Sequence, residues 1–128
     1  MLKKSEKKHK ILIWASTFMW AMVVLFLSVI PGSDLPESAI NHLDKGVHFF
    51  EYVIFAILII KGLHAHREGI FDGQTLLFTL IIAGLYGILM ELCQFFVPGR
   101  DPSLGDVAAN IGGVVFGMMI GKVMICRK

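Results

Sequence analysis

Four apolar stretches, each about 20 residues long, dominate the sequence and limit what it can fold into. They cover residues 11–30, 44–63, 76–97 and 106–125. A helix of about 20 residues crosses the roughly 30 Å hydrocarbon core of a bilayer. Because lipid offers backbone N–H and C=O groups no partners, each membrane span should be helical. The stretches therefore predict an all-α membrane protein, a compact bundle of four transmembrane helices.

The composition agrees with one small membrane domain. Only 17% of the 128 residues are charged, against about 25% in soluble domains. We expect a basic tail over residues 1–10 and a single four-helix transmembrane domain over residues 11–126. The first apolar stretch is longer than the roughly 7–15 residues of a signal-peptide core. It is therefore predicted to be an uncleaved anchor rather than a signal peptide.

The distribution of basic residues predicts the orientation. Of the 12 Lys and Arg residues, only Lys45 and Arg100 lie in the 31–46 and 97–105 segments. The others lie in the N-terminal tail, the 61–74 segment and the C-terminal end, and basic loops favour the cytoplasm. Both termini are therefore predicted to be cytoplasmic. The net charge of +2 is too small to indicate nucleic acid, and no nucleic-acid partner is predicted.

Ionisable residues inside the spans gather on three helix faces. A charge at the bilayer centre costs about 2.5–3.5 kcal/mol, so such residues indicate function by default. Spacings of three or four residues place each set on one face. On the predicted orientation, all three faces lie near the outer surface and form a polar pocket that opens outward below Arg100. The sets are Asp44, His48 and Glu51; Glu91 and Gln94; Asp106 and Asn110.

A stripe of small residues runs along the fourth apolar stretch, with Ala109, Gly113, Gly117 and Gly121 repeating every four residues. Such a stripe lets another backbone approach closely. We favour packing within the chain, with Gly84 and Gly87 of the third stretch as a possible partner surface. A homo-oligomer through the same face is the alternative.

Two groups of residues resemble the signatures of VanZ-like membrane proteins. The first has the form DK-x-x-HF-x-x-Y, and its residues here are Asp44, Lys45, His48, Phe49 and Tyr52. The second has the form E-x-x-Q-x-x-x-P-x-R followed by D-x-x-x-N-x-x-G. It is met by Glu91, Gln94, Pro98, Arg100, Asp106, Asn110 and Gly113. Glu51 lies outside this pattern.

The resemblance implies a multi-pass protein of the bacterial cytoplasmic membrane that acts at its outer face. The family is named for a protein that raises resistance to teicoplanin, a glycopeptide antibiotic with a lipid chain. It therefore implies a role in the cell envelope and in antibiotic resistance. The resemblance carries over no biochemical activity.

One hypothesis is a binding protein for a membrane lipid or a lipid-linked envelope precursor. The Arg100 guanidinium suits phosphate or carboxylate, whereas amide side chains suit sugar or peptide groups. Alternatively, these residues only fix the register of the helices. The candidate ligand-binding residues are Asp44, His48, Tyr52, Glu91, Gln94, Arg100, Asp106 and Asn110.

A second hypothesis is an intramembrane enzyme that modifies a lipid-linked substrate. His48, Glu91 and Asp106 are its candidate catalytic residues, as acid–base groups or as metal ligands. The sequence contains only one His at this depth, and no Cys cluster or H-E-x-x-H motif. We therefore predict neither a metal nor a cofactor. A third hypothesis is an assembly or regulatory protein without catalysis, and the sequence leaves these alternatives open.

Overall fold

The computed structural model describes residues 2–34, 44–67 and 72–127. Within these residues the chain forms four long helices: α1 (Leu2–Ser28), α2 (Asp44–His66), α3 (Gly73–Gln94) and α4 (Leu104–Cys126). A single 3₁₀ turn, Gly32–Asp34, follows α1. All four helices are long and apolar enough to cross a membrane. This confirms the predicted all-α, four-span fold, whereas the cytoplasmic location of both termini remains a prediction.

Several helix ends differ from the ends of the apolar stretches, and local capping sets the starts of α3 and α4. α1 begins at Leu2, so the basic residues predicted to form a tail continue the first helix. α3 begins after Asp72, whose side chain accepts a hydrogen bond from the Thr75 backbone N–H at 3.0 Å. This N-cap bond lowers the pKa of Asp72. Similarly, α4 begins after the N-cap residue Ser103.

α2 lies at the centre of the bundle. It packs most extensively against α4 and also contacts α1 and α3. Large apolar side chains cover much of the outer surface, as expected where helices face lipid. The buried core is contributed by all four helices and contains Val24, Tyr52, Phe55, Ala56, Ile59, Ala83, Met90 and Val114.

The glycine stripe of α4 faces α2 of the same chain. A Cβ atom at Gly113 would lie 2.3 Å from the backbone oxygen of Phe49. One at Gly117 would lie 2.5 Å from the backbone oxygen of Val53. Only glycine allows the two backbones to come this close, which accounts for their extensive contact. An oligomer through this face would require the α2–α4 contact to open.

The glycines of α3 that were a possible partner surface do not cover the stripe. A Cβ atom at Gly84 would have no neighbour within 4 Å among the described residues, and Gly87 lies beside Tyr52 and Asn110. Spacing along α4 identifies which residues share a face but not which helix covers it.

Two long-range hydrogen bonds fix α1 to the other helices. The Trp20 indole N–H donates to the backbone oxygen of Glu51 at 2.9 Å. The Tyr86 hydroxyl donates to the backbone oxygen of Ala21 at 2.5 Å. Because both acceptors are main-chain carbonyls, α1 is held at a defined height against α2 and α3.

Candidate functional site

The first part of the site is the N-terminal end of α2. His48 lies one turn after Asp44, and its Nε2 is 3.7 Å from Oδ1 of Asp44. Its other ring nitrogen, Nδ1, is 3.7 Å from Oε2 of Glu51. His48 and Glu51 are buried, and Tyr52 beside them is fully buried. The imidazole therefore lies between two carboxylates that belong to its own helix.

The second part is the N-terminal end of α4. The Ser103 hydroxyl accepts a hydrogen bond from the Asp106 backbone N–H at 3.1 Å and donates to Oδ2 of Asp106 at 2.6 Å. The other carboxylate oxygen of Asp106 lies 3.4 Å from Nζ of Lys45 on α2. Asp106 is buried, whereas the Lys45 side chain is 51% exposed. The N-cap thus orients a buried carboxylate toward α2.

The end of α3 supplies the third part. Glu91 and Gln94 are both buried, and Nδ2 of Asn110 on α4 donates to Oε1 of Glu91 at 3.4 Å. A Cβ atom at Gly87 would lie 3.3 Å from Cε1 of Tyr52 and 3.4 Å from Cβ of Asn110. Absence of a side chain at Gly87 therefore lets α3 approach the polar residues of α2 and α4.

Arg100 ties the loop before α4 to two other helices. Gly99, with φ at +74°, forms the left-handed turn that precedes it. The guanidinium donates to the backbone oxygen of Leu27 at 3.0 Å and to that of Ile30 at 3.1 Å. Its Nη1 also lies 3.2 Å from Oδ1 of Asp44. The guanidinium, which we expected to bind phosphate or carboxylate of a ligand, is thus engaged by a carboxylate and by backbone acceptors within the chain.

The three helix faces meet at one end of the bundle. One ligand atom each of Asp44, His48 and Asp106 lie within 4.8 Å of one another. All of the predicted ligand-binding residues lie at this end, and the structure adds Lys45 and Glu51 to them. We call the resulting set the polar cluster: Asp44, Lys45, His48, Glu51, Tyr52, Glu91, Gln94, Arg100, Asp106 and Asn110.

Many buried polar atoms of the polar cluster have no hydrogen-bond partner among the residues that the structure describes. A buried polar group without a partner costs about 1–3 kcal/mol, so native proteins contain few of them. Their concentration at one place makes this end of the bundle the candidate functional site. The atoms are Nδ1 and Nε2 of His48, Oε1 of Glu51, the Tyr52 hydroxyl, Oε2 of Glu91, Nε2 of Gln94, Oδ1 of Asp106 and Oδ1 of Asn110.

Sequence reasoning missed two contributions to the site. Lys45 is not among the candidate ligand-binding residues, yet it pairs with buried Asp106. Its place next to Asp44 in the first signature was the available signal. The backbone carbonyls of Leu27 and Ile30, which accept from Arg100, could not be found, because a backbone acceptor leaves no mark on the sequence.

Four apolar helices with a buried polar cluster at one end define a multi-pass membrane protein. The model of one protein family, VanZ/LLP1, matches residues 5–125, which is nearly the whole chain. The chain therefore belongs to the VanZ/LLP1 family, and this confirms the resemblance drawn from the two signatures. Comparisons with curated proteins and with solved structures gave no significant match.

Proposed function

We propose that this protein binds a membrane lipid or a lipid-linked envelope precursor at the polar cluster, at the outer face of the bacterial cytoplasmic membrane. Through this binding it contributes to resistance to teicoplanin-type glycopeptides. The observation that carries the proposal is the concentration, at one end of an otherwise apolar bundle, of buried polar atoms that have no hydrogen bond within the described residues. Membership of the VanZ/LLP1 family supports the link to glycopeptides.

The chemistry of the polar cluster suits an amphiphilic ligand. Gln94, Asn110 and the Tyr52 hydroxyl provide neutral donors and acceptors for sugar or peptide groups. Lys45 provides a half-exposed ammonium group for a phosphate. Arg100 contributes indirectly, because it already holds Asp44 and the end of α1. The lipid tail of the ligand would lie along the exposed apolar surface of the helices.

Gln94→Ala tests this proposal most cleanly, because Gln94 is buried and its Nε2 has no partner within the described residues. The variant would be expressed in a teicoplanin-susceptible bacterium, with membrane abundance measured in parallel. We expect resistance to fall severalfold at unchanged abundance. Gln74→Ala, at the opposite end of α3 where Gln74 accepts from Arg67, is the matched control and should keep full resistance.

Two further comparisons sharpen the test. A glycopeptide without a lipid chain should show a smaller difference between cells with and without the protein, since the proposed resistance is to teicoplanin-type glycopeptides, which carry a lipid chain. Full teicoplanin resistance in Gln94→Ala and Asn110→Ala, at normal abundance, would contradict binding at the polar cluster.

The position of His48 favours a second candidate function, an enzyme that modifies a lipid-linked substrate. Its two ring nitrogens each face a carboxylate at 3.7 Å, an arrangement suited to orienting a general acid or base. Purified protein would be incubated with envelope lipids and the products analysed by mass spectrometry. A product that disappears in His48→Ala would establish the enzyme. Binding of an envelope lipid without any product would favour the lipid-binding function over the enzyme.

A further inference from the structure

We propose that Asp44, His48 and Asp106 form a binding site for one divalent transition-metal cation, for which Zn²⁺ is the best fit. The site would lie between the first turns of α2 and α4. This inference goes beyond lipid binding and does not depend on it, because it rests on these three side chains alone.

The arrangement of the ligand atoms is close to that of a metal site. One oxygen of each carboxylate and one ring nitrogen of His48 lie within 4.8 Å of one another. Ligand atoms around a tetrahedral zinc ion are about 3.3 Å apart, given bonds of about 2.0–2.2 Å. Nε2 of His48 and Oδ1 of Asp44 are already 3.7 Å apart. Small side-chain rotations would therefore close the site without moving the helices.

The unsatisfied state of the imidazole is an independent indication. His48 is only 4% exposed, and neither ring nitrogen has a hydrogen-bond partner in the part of the chain that the structure describes. Oδ1 of buried Asp106 is likewise without a hydrogen bond. Coordination of a metal ion would satisfy one nitrogen and this oxygen together, which removes part of the cost of burying them.

The surrounding groups hold the two carboxylates in place. Ser103 donates to Oδ2 of Asp106, and this leaves Oδ1 as the ligand atom. Nη1 of Arg100 lies 3.2 Å from Oδ1 of Asp44, the candidate ligand atom, and 3.4 Å from Oδ2, so its hydrogen bond would shift to Oδ2 when Oδ1 binds the metal. Metal-binding carboxylates are commonly fixed by such outer hydrogen bonds. Both partners would remain in place when the metal binds.

Lys45 is the competitor for this site. Its Nζ lies 3.4 Å from the same Oδ1 of Asp106, and its half-exposed side chain is free to swing toward solvent. A metal ion would displace this ammonium group from the carboxylate. Removal of Lys45 should therefore strengthen metal binding.

The donor set selects the class of ion. One imidazole nitrogen with two carboxylate oxygens suits Zn²⁺ and other first-row transition metals, whereas Mg²⁺ and Ca²⁺ prefer all-oxygen sites. Three protein ligands also leave a coordination position for water or for an oxygen atom of a bound ligand.

The test uses the full chain, purified in detergent without a polyhistidine tag and stripped with a chelator. Zn²⁺ uptake would be measured by elemental analysis and by calorimetry, and Co²⁺ would report the ligand geometry through its visible absorption. We expect about one equivalent of Zn²⁺, lost in His48→Ala and in Asp106→Asn. His66→Ala, at the other end of α2, is the control and should bind like the unmodified chain.

Lys45→Ala keeps all three ligands and therefore remains informative if a ligand variant fails to fold. It should bind Zn²⁺ severalfold more tightly than the unmodified chain. Absence of Zn²⁺ uptake by the folded, unmodified chain would overturn the proposal. So would equal uptake by His48→Ala, or an affinity unchanged by Lys45→Ala.

Discussion

Arg100 connects the loop before α4 to α1 and α2, and its removal should lower the stability of the fold. In Arg100→Ala, Asp44 loses its guanidinium partner, and the backbone oxygens of Leu27 and Ile30 lose their donors. We expect the free energy of unfolding to fall by about 2–3 kcal/mol. Titration with sodium dodecyl sulfate in mixed micelles, followed by circular dichroism, measures this change. Asp101→Asn, an exposed neighbour, should have no effect.

The two roles considered for Arg100 lead to different results. If Arg100 instead bound the ligand directly, Arg100→Ala would lose resistance while its stability stayed unchanged. The stability of Arg100→Lys should lie between that of the unmodified chain and that of Arg100→Ala. An ammonium group keeps the charge but lacks the planar fork that reaches carbonyls and carboxylate together. Normal stability of Arg100→Ala would show that the hydrogen bonds to α1 contribute little.

The position of Arg100 depends on a contact between two glycines. A Cβ atom at Gly32 would lie 1.8 Å from the backbone oxygen of Gly99, and the Gly32 N–H donates to the backbone oxygen of Pro98. Gly32→Ala must therefore push the loop away, with an expected loss of at least about 2 kcal/mol in the free energy of unfolding. Gly46→Ala is the control, because a Cβ there meets none of the described residues within 4 Å. Equal stability of the two variants would contradict this contact.

At the scale of the helices, the close approach of α2 and α4 positions the polar cluster. Gly112 and Gly117 provide a matched pair on α4. A Cβ at Gly117 would lie 2.5 Å from the backbone oxygen of Val53, whereas one at Gly112 would make an ordinary 3.7 Å contact with Phe49. Gly117→Ala should cost about 1–3 kcal/mol of unfolding free energy, measured in the same detergent titration. Gly112→Ala should be neutral, and a larger loss for Gly112→Ala would show that α4 presents a different face to α2.

The sequence predicts the helices and their polar faces well because both depend on local information. Hydrophobic runs mark the spans, and a spacing of three or four residues puts Asp106 and Asn110 on one face. The tertiary partners are harder, because spacing does not say which helix lies opposite. The sequence therefore offers α3 as a possible partner for the stripe containing Gly117, whereas the structure places α2 there. The hydrogen bond from Arg100 to the Leu27 backbone carbonyl could not be predicted, because every residue has such a carbonyl and the sequence does not mark which one is used.

On the scale of the whole molecule, the two ends of the bundle differ in chemistry. The polar cluster occupies one end. At the other end, a cavity of about 470 Å³ lies between α1, α2 and α4. Its lining includes basic and apolar side chains from the beginning of α1 and the ends of α2 and α4, among them His9, Lys61, His64, Met124 and Ile125. The N-terminal end of α1 and the C-terminal end of α4 therefore lie on the same side of the bundle.

This arrangement makes the predicted orientation testable with one reagent. In a background with Cys93→Ser and Cys126→Ser, a new cysteine would be placed at Asp101, near the polar cluster, or at His66, near the basic end. Both side chains are exposed. Because basic segments favour the cytoplasm, a membrane-impermeant maleimide should label Asp101→Cys in intact cells. It should label His66→Cys only after the membrane is permeabilised.

The possible labelling patterns distinguish an error in the predicted orientation from an error in the fold. The reverse pattern would contradict the orientation and move the polar cluster to the cytoplasmic face, where it could not meet an external glycopeptide, yet the bundle itself would stand. Labelling of both positions from the same side would contradict the four-span fold, because α3, which connects the two positions, could then not cross the membrane. The Asp101 and His66 variants therefore test, in one experiment, whether the polar cluster faces the compartment in which teicoplanin acts.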